Sequence, residues 1–279
     1  MSQVERLRTL RVRSVWISDV HLGLRGCQAE FVLDFLQAVD CRQLYLVGDI
    51  IDLWAMRNGL FWPRTHHAVV RAIFDKAVGG TEVVYVPGNH DEAFRDHAGS
   101  ELGGVVVRDE VVHTTADGRR FLVLHGDEFD QVVQRQRWLA VLGSRLYDLL
   151  LGANHGLNVV RRRFGMGYWS LAAFLKHRVK KAVNYIGNFE EAVAEAARRH
   201  DVDGMICGHI HNAEMRDIGG VIYCNCGDWV ESCTALVEHH DGRMELLRWT
   251  EGRQVIATAG ATTQPLVHPV PAAAMARTV

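Results

Sequence analysis

Aspartate, asparagine and histidine side chains occur in five short groups along the 279-residue chain, each directly after an apolar run. Carboxylate, imidazole and amide donors without a thiolate suit Mn²⁺, Fe²⁺, Zn²⁺ or Mg²⁺ better than a structural cysteine-zinc site. The donors are too many for one ion. We therefore predict two metals, roughly 3.5–4 Å apart, which would promote displacement at phosphorus. The groups are Asp19-Val20-His21, Gly48-Asp49, Gly88-Asn89-His90-Asp91, His125-Gly126-Asp127 and Gly208-His209-Ile210-His211.

The apolar runs before these groups predict buried strands, because β-branched and aromatic residues suit a covered sheet. Helical spacing at Glu30–Val39 and His66–Val78 separates the runs, and this alternation predicts an α/β fold. Ligands in such folds gather beyond the carboxyl ends of the strands. In extended chain, residues i and i+2 share a side, so each D-x-H or H-x-H pair would face one crevice. The predicted strands are Val12–Ile17, Leu44–Val47, Val83–Val86, Phe121–Leu124 and Gly204–Cys207.

Four later segments predict antiparallel strands, and hence a mixed sheet or a second sheet, since turn residues separate them. Residues 131–189 break this rhythm with helical spacing and predict a helical insertion in a domain of residues 1–250. Beyond Glu251 the chain lacks periodicity and holds three of the five prolines, so we predict a flexible tail over residues 251–279. The four segments are Gly104–Val112, Val221–Cys226, Thr234–Glu238 and Met244–Trp249.

The formal net charge of −2 averages two unlike parts of the chain. Residues 131–189 hold ten basic side chains and one acid, Asp148, so this segment is +9 and the remainder is −11. A basic segment interleaved with apolar side chains favours an anionic partner, either a phosphorylated substrate or the surface of the inner membrane. Nucleic acid is not expected, because the pI is near 6.7 and no nucleic-acid-reading motif is present.

Composition places the chain among globular proteins and excludes collagen-like and disordered classes, with 48% hydrophobic and 23% charged residues. Six cysteines without C-x-x-C spacing are expected to be buried reduced thiols. The chain has neither an apolar run of membrane-spanning length nor a signal-peptide pattern, so we predict a cytoplasmic location. Histidines outside the five groups, including His66 and His113, are expected at the surface or in capping roles, and Trp54 is expected to be a packing aromatic.

The order D-x-H, G-D-x-x-D, G-N-H-D, H-G-D, G-H-x-H resembles the calcineurin-like metallophosphoesterases and extends from Asp19 to His211. SDVHLG, GDIIDLW, LHGDEFD and Gly227-Asp228-Trp229, with a basic insertion, are most similar to the UDP-2,3-diacylglucosamine hydrolases of lipid A synthesis. The resemblance implies an α/β sandwich of two mixed β-sheets flanked by helices, with a helical cap. It also implies a metal-dependent phosphohydrolase acting on a lipid-linked nucleotide.

The resemblance further implies two divalent ions, with Mn²⁺ expected, and Asp49 as the bridge between them. His90, held by Asp91, would stabilise the phosphoryl oxygens or protonate the leaving group. The ligands of the first ion would be Asp19, His21, Asp49 and His211, and those of the second Asp49, Asn89, His125 and His209. The substrate-binding cations of the insertion would be Arg161, Arg162, Arg163, Lys176, Lys180 and Lys181.

One departure keeps other functions open. His90 stands where the lipid hydrolases have arginine, and an imidazole suits an alcohol or sugar oxygen that leaves as a poor anion. Asp52 is expected only to orient a ligand histidine. A soluble phosphomonoesterase or phosphodiesterase acting on small metabolites is therefore the alternative function, and a non-catalytic scaffold with the same fold is a third.

Overall fold

The computed structural model describes residues 9–57, 59–130, 186–250 and 252–260. The chain divides into two compact units, one formed by residues 1–127 and 193–279 and the other by residues 128–192. Within the second unit, the rings of Phe129 and Phe189 meet edge to face, with centroids 5.9 Å apart. Most of the predicted insertion at residues 131–189, including its six proposed substrate-binding cations, lies outside the described residues.

The described elements follow the predicted alternation of strands and helices. The first part of the chain contains β1 (Leu10–Ile17), α1 (Ala29–Ala38), β2 (Val39–Val47), α2 (Leu53–Arg57), α3 (Arg64–Val78), β3 (Glu82–Val86), β4 (Glu101–Leu102), β5 (Val105–Val107), β6 (Val111–Thr114) and β7 (Arg120–Val123). The later part contains α4 (residues 186–199), β8 (Gly204–Cys207), β9 (Glu214–Ile218), β10 (Val221–Asn225), β11 (Thr234–Glu238), β12 (Met244–Trp249) and β13 (Arg253–Ala259). Short 3₁₀ turns lie at Glu92–His97 and Asp127–Phe129.

The strands form two mixed sheets, which confirms the predicted fold class. The eight-stranded sheet has the order β13-β12-β11-β1-β2-β3-β5-β4, and the five-stranded sheet has the order β6-β7-β8-β10-β9. The pairs β1–β2, β2–β3 and β3–β5 are parallel in the first sheet, as are β7–β8 and β8–β10 in the second. The strands that end in candidate ligands are therefore central and parallel, and their carboxyl ends meet at one edge of each sheet.

Alternate side chains of the parallel strands pack in two different cores, as the two-residue period of a strand requires. Val15 and Leu44 belong to a core that also contains apolar residues of α1 and α3. Trp16 and Tyr45 belong to a second core, which they share with residues of the five-stranded sheet such as Phe121. The Trp16 and Tyr45 rings stack with centroids 5.3 Å apart and planes 7° apart. The large sheet is thus covered on both faces, which explains its continuous apolar runs.

Two predictions for irregular or extended segments are wrong. The segment Gly104–Val112 forms two strands in different sheets, β5 and β6, rather than one strand. The flexible tail predicted from residue 251 is wrong where Arg253–Ala259 forms β13 and pairs with β12. The exposed backbone groups of an edge strand favour such pairing even where side-chain periodicity is weak. Residues 261–279 lie outside the described part of the chain.

The structure also bears on the predictions for a membrane-spanning segment and for the cysteines. Among the described residues, no helix combines the length and apolar character needed to cross a bilayer. Five of the six cysteines are buried, as expected, and Cys27 is partly exposed.

A buried polar network joins the two sheets at the end far from the strand carboxyl termini. The Glu238 carboxylate accepts hydrogen bonds from Arg13 Nη1 at 2.8 Å and from the Ala116 backbone N–H at 2.7 Å. Its Oε2 also lies 2.9 Å from His113 Nε2, and the other His113 nitrogen lies 3.0 Å from the Tyr45 hydroxyl. His113 is 2% exposed, so its predicted surface position is wrong.

We predict that Glu238→Gln lowers the free energy of unfolding by about 3 kcal/mol, because it removes one partner of a buried charge pair. Burial would raise the pKa of Glu238, but hydrogen bonds from His113 and the Ala116 N–H lower it. The stabilisation should therefore persist at neutral pH and disappear as pH falls through that lowered pKa. Urea unfolding at several pH values measures this, with the exposed Glu101→Gln as the control. A difference that is independent of pH in the acid range would contradict it.

Candidate metal centre

Five of the predicted ligands have a left-handed backbone conformation at the ends of their strands. Their φ angles are 51° at Asp19, 54° at His21, 53° at Asp49, 69° at His209 and 53° at His211. Only seven described non-glycine residues have a positive φ, so this strain is concentrated at the candidate site. The extended i and i+2 backbone expected from the sequence is therefore wrong, because both named residues of each D-x-H or H-x-H pair are left-handed.

Backbone pairing across the strand ends keeps these turns in place. The Asp19 N–H donates to the Gly48 carbonyl at 3.0 Å, and the His21 N–H donates to the Asp49 carbonyl at 2.8 Å. On the other side of the first turn, the Trp229 N–H donates to the Asp19 carbonyl at 3.0 Å. These bonds satisfy backbone groups that a departure from the strand would otherwise leave unpaired.

The side chains form two candidate ligand groups without shared members, in which all donor atoms lie within 4.8 Å of one another, and a third group of His21, Asp49 and His90 overlaps both. In the first group, His211 Nε2 lies 3.1 Å from Asp19 Oδ1 and 3.3 Å from His21 Nε2. The second group consists of Asp49, His125 and His209. Each group is a set of inward-facing oxygen and nitrogen donors of the type that holds a divalent transition-metal ion.

A single carboxylate oxygen of Asp49 lies between the two groups. Asp49 Oδ2 is 3.9 Å from His21 Nε2 and 3.4 Å from His125 Nε2. The other oxygen, Oδ1, accepts a hydrogen bond from the His90 backbone N–H at 2.8 Å, which fixes the carboxylate plane. This is the placement expected of a ligand shared by two ions.

The surroundings of the buried oxygen and nitrogen atoms indicate whether these residues fit metal ions. Within the described part of the chain, the buried Asn89 Oδ1 makes no hydrogen bond. The buried Asp19 Oδ1 and His125 Nε2 instead lie next to other members of the centre, 3.1 Å from His211 Nε2 and 3.4 Å from Asp49 Oδ2. Native proteins rarely leave such atoms without a partner. Coordination of divalent cations would satisfy these atoms, so the donor set fits two ions.

Acceptors behind two ligand histidines hold their rings with Nε2 facing the centre. His21 Nδ1 lies 3.0 Å from Asp52 Oδ2, and His125 Nδ1 lies 3.0 Å from the Val47 carbonyl oxygen. An acceptor of this kind selects the tautomer that leaves the opposite nitrogen as a ligand. The contact between Asp52 and His21 is the one expected of a carboxylate that orients a ligand histidine.

Asp91 was expected to hold the imidazole of His90, but its carboxylate binds other groups. Its carboxylate accepts hydrogen bonds from the backbone N–H groups of Gly88 at 2.6 Å and Ile50 at 2.7 Å, and from the Tyr85 hydroxyl. The imidazole of His90 instead contacts Asp52, with Nδ1 3.0 Å from Oδ1. Asp91 therefore joins the loops after β2 and β3, whereas Asp52 holds His90. The sequence analysis did not identify Tyr85. The feature that could have indicated it is a hydroxyl group within the apolar part of β3.

Two glycines make room for the ligands. A Cβ added to Gly88 would overlap Asp49 Oδ1 and would lie 2.7 Å from His125 Nε2. A Cβ at Gly208 would overlap Asp19 Oδ2 and would lie 2.5 Å from the Ser18 hydroxyl. The glycines that precede Asn89 and His209 are thus required by close approach of side chains.

Mutual electrostatic effects keep the carboxylates charged. Burial would raise the pKa of Asp19, but hydrogen bonding to His211 and the charges of His125, His211 and His21 lower it. Burial would lower the pKa of His125, but hydrogen bonding and charge from Asp49, with the charge of Asp19, raise it to about 10. The centre thus has a negative potential that attracts positive charge, whether protons or metal ions.

A cavity of about 420 Å³ opens beside His90. The Trp54 ring lies over the His90 ring, with centroids 4.3 Å apart and planes 32° apart, and remains 37% exposed. Trp54 was expected to pack in the interior. The structure instead places its partly exposed ring against the imidazole of His90. The cavity is lined by Leu53, Trp54, Arg57, His90, Glu92, Ala93, Arg95 and Asp96.

His66 is a further residue that the sequence prediction placed wrongly. It is 2% exposed rather than at the surface, and its Nδ1 accepts a hydrogen bond from the Gly23 N–H at 3.0 Å. Gly23 follows the ligand His21 by two residues, so His66 supports the loop that carries this ligand. The apolar helix face around His66 was its only sequence signal.

Comparison with known proteins identifies one family. The sequence profile described as calcineurin-like phosphoesterase matches residues 12–213. A UDP-2,3-diacylglucosamine hydrolase of Photorhabdus laumondii is 26% identical over 221 residues, which cover 74% of this chain and 84% of the relative. Its counterpart in Pseudomonas paraeruginosa is 28% identical over 208 residues, covering 71% and 81%. The solved structure of the E. coli phosphoesterase YfcE is 15% identical, with a TM-score of 0.47, and covers 89% of this chain and 99% of that chain.

We predict that Gly88→Ala weakens Mn²⁺ binding by at least about tenfold, because the new methyl group must displace Asp49 or His125. Isothermal titration calorimetry with Mn²⁺ measures the affinity, and circular dichroism checks that the fold is retained. Gly187→Ala is the matched control, since a Cβ at this helical glycine meets nothing within 4 Å. Equal affinity in both variants would contradict the close packing at Gly88.

Proposed function

The chain belongs to the calcineurin-like phosphoesterase family and is a metal-dependent phosphohydrolase, and we propose that its substrate is a lipid-linked nucleotide of the UDP-2,3-diacylglucosamine type. The main structural observation behind this proposal is the position of Asp49 Oδ2 between the two ligand groups, 3.9 Å from His21 Nε2 and 3.4 Å from His125 Nε2. The relatives named as UDP-2,3-diacylglucosamine hydrolases support this substrate class.

The chain's own residues would hold two divalent ions, with Mn²⁺ proposed, next to the scissile phosphorus. Asp19, His21 and His211 would hold the first ion, and His125, His209 and Asn89 the second, with Asp49 shared. When bound, such ions polarise phosphoryl oxygens and lower the pKa of water. Left-handed turns and buried acceptors position the ligand side chains before the ions bind, which reduces the cost of assembling the centre.

His90 is proposed as the residue that stabilises the phosphoryl group or delivers a proton to the leaving oxygen. Its Nδ1 is 3.0 Å from Asp52 Oδ1, and its Nε2 is 4.0 Å from Asp49 Oδ2, so one nitrogen is held while the other borders the centre. The cavity beside His90 would receive the departing group. Asp91 would act indirectly, by holding the loop that carries His90.

The cavity lining also keeps the alternative substrate class open. Arg57, Glu92, Arg95 and Asp96 make its walls polar, and Trp54 offers a ring face. Such walls suit a sugar or a nucleobase, which the lipid-linked nucleotide contains and which a small soluble phosphoester can also carry. A soluble phosphomonoesterase or phosphodiesterase is therefore the second candidate. The complete set of candidate ligands opposes a non-catalytic scaffold.

Two further parts of the proposal concern residues 131–189 and location. Cations of this segment would bind the substrate phosphates, and the enzyme would act at the cytoplasmic face of the inner membrane. A nucleic-acid substrate is not proposed. The six proposed cations are Arg161, Arg162, Arg163, Lys176, Lys180 and Lys181.

We predict UMP release from UDP-2,3-diacylglucosamine in the presence of Mn²⁺, with little free phosphate. The assay runs beside a phosphate-release assay on sugar phosphates and a soluble diester, bis-p-nitrophenyl phosphate. If only the soluble substrates turn over, the lipid-linked substrate is wrong and the alternative function holds. Absence of turnover on every substrate would contradict the phosphohydrolase itself.

We also predict different effects for two substitutions in the centre. Asp49→Ala should abolish both Mn²⁺ binding and turnover, because both ligand groups lose their shared oxygen. His90→Gln should lower kcat by about 10²–10⁴-fold, as loss of an acid or base group does, while Mn²⁺ binding is retained. Calorimetry and initial rates separate the two. Full activity of Asp49→Ala would rule out the dinuclear arrangement.

A further inference from the structure

The loop between α2 and α3 presents apolar side chains on a firm base. Leu60 is 75% exposed, and the adjacent Phe61 and Trp62 are partly exposed. Both aromatic rings meet the ring of the buried His66 edge-on, with centroids 5.6 Å away. Because His66 is itself bonded to the Gly23 N–H, the loop holds Leu60 outward instead of collapsing over it.

The same surface carries an excess of positive charge. Residues 53–74 contain three arginines and no acid, although the whole chain is −2. The exposed Arg57 and Arg64 flank the loop, and the exposed Arg25 lies over the Phe61 ring at 4.5 Å. Within the described ranges, none of these three arginines forms an ion pair. We call Arg25, Arg57 and residues 59–64 the basic-aromatic loop.

This combination favours one kind of partner. Apolar and aromatic side chains surrounded by unpaired arginines match the boundary between anionic headgroups and acyl chains. A second copy of this chain, itself net negative, would complement the charge but would not need an outward aliphatic side chain at the most exposed point. Trp54 and Arg57 also line the cavity beside His90, so whatever covers the loop lies next to the opening of that cavity.

We propose that the basic-aromatic loop binds the surface of an anionic phospholipid membrane, with Leu60 inserted among the headgroups. The loop then places the cavity beside the metal centre at the height of the headgroups. The role of the loop in placing the cavity rests on the proposed function, since a lipid-linked substrate would present its phosphates at the height of the headgroups. The contact is separate from residues 131–189, for which the sequence also predicts a membrane surface.

The full chain, loaded with Mn²⁺, is tested by co-sedimentation with vesicles of phosphatidylcholine alone or with added phosphatidylglycerol. We expect binding that requires phosphatidylglycerol and weakens as salt is added. Leu60→Glu should weaken it by about tenfold, because an apolar side chain is lost from the interface. Arg64→Glu should weaken it by about fivefold, since the headgroup attraction is reversed.

Two matched controls separate this surface from general exposure and charge. Leu102→Glu changes another apolar residue, 66% exposed on β4, and Arg11→Glu changes an arginine whose side chain is 80% exposed on β1. Both should bind vesicles like the parent chain. The proposal is overturned if the parent does not bind, if Leu60→Glu binds equally well, or if Leu102→Glu loses as much. A Leu60→Glu variant that only converts a dimer to a monomer would assign the loop to a second copy and overturn it as well.

A soluble substrate separates this proposal from the proposed function. Hydrolysis of bis-p-nitrophenyl phosphate by Leu60→Glu should match that of the parent chain, because Leu60 does not line the cavity or the centre. Turnover of vesicle-embedded UDP-2,3-diacylglucosamine should fall with vesicle binding. Lost vesicle binding with intact soluble activity therefore reports on the loop alone, whereas loss of both activities would indicate that Leu60 acts on catalysis and would contradict the proposal.

Discussion

The structure of the centre depends on the Asp49 carboxylate, which faces both ligand groups. Its backbone is in the left-handed region, and its N–H lies 3.3 Å from Asp91 Oδ1, while its side-chain Oδ1 accepts the His90 N–H. Gly88 leaves space against it that a Cβ would fill. Each of these constraints costs conformational freedom or strain. The surrounding parallel strands, buried on both faces, provide the stability that retains them.

Asp52 extends this organisation from the centre to the cavity. Its two oxygens lie 3.0 Å from His21 Nδ1 and from His90 Nδ1, and its Oδ1 also accepts the Ala55 N–H at 2.6 Å. One carboxylate therefore orients a metal ligand, holds the imidazole proposed for proton delivery, and begins the short helix that carries Trp54. The position of His90 relative to the ions is thus coupled to the wall of the cavity, which relates the chemistry to the choice of leaving group.

Negative and positive charges lie in different regions of the described structure. The described centre concentrates buried carboxylates where cations are expected, and arginines without ion pairs lie at the basic-aromatic loop. A net charge of −2 is the sum of such opposed regions, together with the +9 of residues 131–189. Electrostatic attraction would draw an anionic headgroup toward the loop, and the ions would then neutralise the phosphates at the centre. This arrangement unites a negatively charged metal site with a negatively charged substrate.

The sequence by itself determined the ligand types, their order and the strands that carry them. Local patterns were sufficient because an apolar run followed by a polar group encodes both a buried strand and its end; β8 and β11 match their predicted bounds. Only the tertiary structure decided that Asp52 holds His90, that Asp91 binds backbone of the preceding loop, and that Arg253–Ala259 forms a strand. These contacts join residues far apart in the chain or complete an open sheet edge. Such geometry arises from how packed elements meet, which no local spacing of side chains records.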